Sequence, residues 1–213
     1  MKYIKGVSCI KCLLALILLF IISSCDNNTQ NKKGKSLGYD FPAPKNWQTE
    51  RIPFPIEFAP QISYSGFEDL RFAPGWEFTT SEEHWTYTFL WWLDGSPQIN
   101  NTILQENLKI YYTGLIERNI KPKNIPATKV TVPAVMIKKI ETASGDIETY
   151  QGTVTIVDYL DLMFNPITLN CMIHKKDCPA HTALIFQISP KPLGHPIWKS
   201  LDKLQSDFKC GPD

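Results

Sequence analysis

Four side chains able to bind a soft metal fall within eleven residues of this chain: Cys171, His174, Cys178 and His181, in the spacing C-x2-H-x3-C-x2-H. Thiolate with imidazole is a ligand set that suits zinc. A site of this kind needs its thiols reduced and its imidazoles unprotonated, which an oxidising compartment disfavours. Strand alternation also counts against it, because Cys171 is in phase with Ile167, Leu169 and Ile173 while His174 falls on the other face. The expectation is a hairpin tip from His174 to His181 with a core or disulfide-bonded cysteine, and zinc is the competing reading.

Two acidic groups are weaker candidates. Glu82-Glu83-His84 has the types for acid, base or metal contact, but no second histidine or carboxylate is spaced to fix a partner. Asp158 and Asp161 are the residue types of a glycosidase pair, yet spacing alone does not give the distance between carboxyls on which that chemistry depends. No H-E-x-x-H, phosphate-loop or G-x-G-x-x-G pattern stands in residues 25–213, which lowers the expectation of an enzyme. The remaining candidate is an aromatic stripe, Trp85, Tyr87, Phe89 and Trp91, which suits either a core under a helix or a groove for sugars, lipids or peptides. Trp92 is out of phase and belongs on the opposite face, covered by a helix or open for binding. Trp85, Trp91 and Trp92 are therefore the ligand-binding candidates.

A different chemistry is written at the start of the chain. Lys2, Lys5 and Lys11 precede the unbroken apolar run Leu13 to Ile22, as in the charged and hydrophobic regions of a secretory signal. A permanent span needs roughly 20 apolar residues, so this run is too short. Ile22-Ser23-Ser24-Cys25 resembles the lipobox of bacterial lipoproteins. That resemblance covers the first 25 residues and implies a signal peptide over 1–24, cleavage before Cys25, and lipid on its thiol. Multiple acyl chains, each methylene contributing about 0.8 kcal/mol when buried, hold a protein far more firmly than one. Asp26 is similar to an inner-membrane retention signal of enteric bacteria that other lineages do not obey, so the choice of membrane stays open. Residues 25–38 are then the lipidated cysteine and a polar, Asn- and Lys-rich tether.

The elements that must position the candidates lie in 39–213, about 175 residues, enough for one domain with a real core. Formal net charge is +1 over the whole chain with no basic stripe, which argues against nucleic acid. Cys171, Cys178 and Cys210 remain after the signal is removed and Cys25 is lipidated. Cys178 pairs with Cys171 or Cys210. The proline-rich stretch 40–61 reads as extended and peripheral. Strands are expected near 67–73, 85–93, 128–140, 148–160, 167–174 and 182–189. A helix at 103–120 opens on a Thr102–Gln105 capping box, and a second helix is expected at 196–209. The order β-β-α-β-β-β-β-α gives an α+β fold, two amphipathic helices against an antiparallel sheet.

That order resembles the Mog1/PsbP-like arrangement of extracytoplasmic domains. Segments 66–76 and 89–94, and Ser189-Pro190 followed by Ile197-Trp198, also resemble uncharacterised bacterial envelope proteins. Neither resemblance supplies an active residue. The sequence thus reads as a lipid-anchored module of the cell envelope or periplasmic face, bound to a membrane through Cys25. It would bind an envelope protein or a small ligand without nucleic acid or a required cofactor. An envelope hydrolase or metal-dependent enzyme using Cys171, His174, Cys178 and His181 is the alternative, and a purely structural partner of an envelope assembly is a third.

Overall fold

The computed structural model describes residues 38–211, so the signal segment 1–24, Cys25 and nearly all of the tether lie outside the described residues. The described chain runs β1 (Tyr39–Asp40), β2 (Gln48–Pro53), β3 (Gly66–Phe72), β4 (Tyr87–Asp94), α1 (Asn101–Ile120), β5 (Ala134–Lys139), β6 (Glu148–Val157), β7 (Pro166–Cys178), β8 (His181–Ser189), α2 (Ile197–Asp207) and β9 (Lys209–Cys210). Seven strands form one antiparallel sheet in the order β2-β3-β4-β8-β7-β6-β5, and β1 pairs with β9 beside it. This is the α+β class that the alternating and helical patterns require.

The period-2 pattern of 85–93 makes β4 an interior strand, flanked by β3 and β8. Tyr87, Phe89, Trp91 and Leu93 face α1 and join one core, whereas Leu90 and Trp92 join a second core with Leu204 and Phe208. On the first face Phe89 stacks on Phe186 with ring centres 4.3 Å apart. Leu104, Leu108, Tyr111, Tyr112 and Ile116 of α1 cover that face. Helical spacing marks Leu115 as a core residue; Ile116 takes that place and Leu115 stays partly exposed at the helix flank.

Sequence pattern and structure part at several boundaries. Asn100, not Thr102, caps α1, its side chain accepting from the Ile103 amide at 3.0 Å. Gln105 instead accepts from the Ile137 amide of edge strand β5 at 2.9 Å, which engages a backbone donor at a sheet edge. β5 begins only at Ala134, because Ala127–Lys129 forms a 3-10 turn. The proline-rich stretch does contain a strand, β2, but it lies at the sheet edge with Pro53 as its last residue, where a missing amide costs least. At Gly114 of α1 a Cβ would fall onto the Phe58 carbonyl, so only glycine lets residues 54–65 press this closely on the helix.

Candidate functional site

Antiparallel pairing brings the connections 73–86, 158–165 and 190–196 to one end of the sheet. Asp158 joins the first two of these. Its Oδ2 lies 2.8 Å from His84 Nε2, and its Oδ1 accepts from Trp85 Nε1 at 2.8 Å and from the amides of Leu160 and Asp161. Trp85 takes a left-handed backbone conformation, φ 53°, that turns the chain into β4 beneath this junction. His84 Nδ1 is buried without a hydrogen-bond partner.

Below that junction a groove of about 500 Å³ opens between α1, β2, β3 and the loop 73–86. Its size falls in the range of small-molecule sites. Its floor is apolar: Leu70 and Phe72 of β3, Tyr87 of β4, Tyr111 and Leu115 of α1, with Phe58, Trp76, Trp85, Tyr159 and Leu160 around them. Trp76 lies against Phe72, ring centres 4.6 Å apart, and its Nε1 is buried without an acceptor. The rim is charged. Arg118 and Lys123 line the helix side, where Arg118 sits over the Phe58 ring at 5.8 Å and Lys123 over Tyr159 at 5.6 Å. Glu50 and Glu77 line the strand-and-loop side. Among the described residues none of these four makes an ion pair or a side-chain hydrogen bond, so both signs of charge are available to a ligand.

Behind the groove, on the same face of β3 as Leu70, Glu68 is fully buried. Its Oε1 accepts from Trp91 Nε1 at 3.1 Å, and its Oε2 has no hydrogen-bond partner. Burial pushes its carboxyl up to about 8, which the N–H of Trp91 and the Tyr111 hydroxyl only partly oppose. Below about pH 8 Glu68 is therefore mostly a neutral acid, held among rings.

The residues singled out by spacing are distributed differently. Trp85 lines the groove, Trp91 is core beside Glu68, and Trp92 lies on the other face, stacked on His181 with ring centres 4.4 Å apart and packed against Tyr39 and Phe208. Cys171 is a free, buried cysteine on the α1 face, its thiol pushed up by burial, and His174 lies on the α2 face. Cys178 is bonded to Cys210, which decides between the two pairings left open by sequence. Those four residues do not converge, and among the described residues no three His, Cys, Asp or Glu side chains form a group able to hold a metal. Glu82, Glu83 and His84 also diverge: Glu82 meets Lys191 and His195 at the surface, Glu83 accepts from the Gly75 amide, and His84 meets Asp158. Asp161 accepts from Met163 within its own turn, so the two aspartates brace the loop.

Sequence reasoning missed Phe58, Phe72, Trp76, Arg118 and Lys123. They come from five separate segments, and the one available signal was Trp76 directly after Pro74-Gly75, an aromatic in a loop with no strand or helix period to explain it. No family model matches the chain, and no curated protein matches it in sequence. No helix among the described residues is long and apolar enough to cross a membrane.

Proposed function

We propose that the chain is a lipid-anchored binding module of the bacterial cell envelope, and that its ligand site is the aromatic groove between α1 and β2–β3. The observation that carries the binding reading is the pairing of an apolar floor with four unpaired charges around about 500 Å³ of open volume. A surface of that composition loses free energy when water leaves the floor, and the rim supplies orientation. The anchor reading is supported by the charged and apolar segments before Ile22-Ser23-Ser24-Cys25 and by the polar residues after it.

Two measurements test the proposal. The first follows anilinonaphthalene sulfonate fluorescence with the full chain and with Leu115→Trp, which fills the groove from α1. The dye signal should fall at least fivefold in the variant while the thermal midpoint holds; equal dye binding by both proteins overturns the groove. The second tracks Cys25→Ala in membrane fractions of a bacterial host. Release into the soluble fraction is expected, and retention through an alkaline wash overturns the anchor.

A further inference from the structure

The charges around the groove are sorted by side. Arg118 and Lys123 belong to α1 and the segment after it, and Glu50 and Glu77 to β2 and the loop 73–86. Opposite charges facing each other over an apolar floor would normally close on one another if their side chains could reach. No ion pair joins the two banks among the described residues, and the two cations lie over rings instead. A ligand that satisfied both banks would carry a cation at one end, an anion at the other and apolar groups between them. A free amino acid does not meet that description, because its ammonium and carboxylate share one carbon. A dipeptide places them a peptide unit apart, with two side chains to lay on Leu70, Phe72 and Tyr111. A fatty acid would satisfy only Arg118 and Lys123 and would place an apolar tail beside Glu50 and Glu77.

From this charge complementarity we infer that the groove takes a zwitterionic, dipeptide-sized ligand with apolar side chains, its carboxylate toward Arg118 and Lys123 and its ammonium toward Glu50 and Glu77. The inference rests on the groove being a binding site, and the test separates the two. Calorimetric titration of the full chain in detergent compares phenylalanyl-leucine, the same dipeptide acetylated and amidated so that it carries no charge, and decanoate. The zwitterion should bind at least about tenfold more tightly than the capped dipeptide, a difference of about 1.4 kcal/mol. Glu50→Gln/Glu77→Gln and Arg118→Gln/Lys123→Gln should each abolish that preference, so that the zwitterionic and capped forms bind each variant equally. Equal affinity for capped and zwitterionic forms, or tighter binding of decanoate, overturns the zwitterion while leaving the groove as an apolar site. No binding of any of the three, together with dye fluorescence indifferent to Leu115→Trp, overturns the groove itself.

Discussion

On the α1 face the sheet buries a carboxyl among rings, whereas on the α2 face it buries carboxylates among cations and donors. Glu68 has only the Trp91 indole N–H and the Tyr111 hydroxyl to oppose burial, and is pushed up to about 8. Asp69, the next residue on β3, accepts from Arg71, Tyr39 and Arg51; burial would raise its carboxyl, and those bonds hold it below the ordinary value instead. Farther along the same face, Asp146 accepts from His174, Lys176 and Thr149 and is likewise held low against the effect of burial. His174 reaches across to Gln187, whose amide donates to Asp202 of α2. Adjacent residues of one strand thus meet opposite solvents, and the difference follows from which side chains the surrounding strands supply on each face.

The sharpest way to break the comparison is pH. Between about 4.5 and about 8 Glu68 holds its proton in the folded protein and has lost it in the unfolded chain, so stability falls as pH rises through that window. The full span amounts to roughly 5 kcal/mol. Urea unfolding of the wild type and Glu68→Gln at pH 5 and pH 8 should show this slope only in the wild type, and parallel slopes refute the neutral acid. Asp69 has the opposite sign. Its contribution is present above the ordinary value near 3.8 and is lost as pH falls through the lowered folded value. Asp69→Asn should cost about 3–5 kcal/mol at pH 7, because Arg71 keeps a buried charge without its partner.

Next in size is the disulfide, which closes 32 residues across the α2 side. Cys210→Ser should lower stability by about 3–4 kcal/mol on the loop-entropy estimate, read from thermal unfolding, and reductant should have no further effect on the variant. Smallest is the α1 cap. Asn100→Ala should cost about 1 kcal/mol and Thr102→Ala close to nothing, and the reverse ranking in urea titrations would restore the capping box.

The same contrast explains what could be read from the residues alone. β4 and α2 were legible because each carries an unbroken period, and the two-faced character of β4 follows from Trp92 lying between Trp91 and Leu93. The edge strand β2 was hidden by the prolines around and at the end of it, and the pair β1–β9 by having two residues each. The Cys/His cluster was compact only along the chain: Cys171 and His174 are three residues apart, an odd step in a strand, and an odd step changes face. The groove was the least legible feature. Its floor joins residues from β3, β4 and α1, and its four charges come from three stretches far apart in sequence: β2, the loop 73–86, and the end of α1 with the segment after it.

The pairing of β1 with β9 bears on how the domain would carry tension. A pull on the chain ahead of Gly38 reaches β1 first, before β2, which has β3 as its only partner in the sheet. From β1 the load divides. One part passes through Tyr39 and Cys210 backbone pairing and the Cys178–Cys210 bridge to the turn between β7 and β8, and the other through the Tyr39 hydroxyl to Asp69 in β3. Under the proposed anchor at Cys25, force would therefore be spread over two points of the sheet instead of falling on β2 alone.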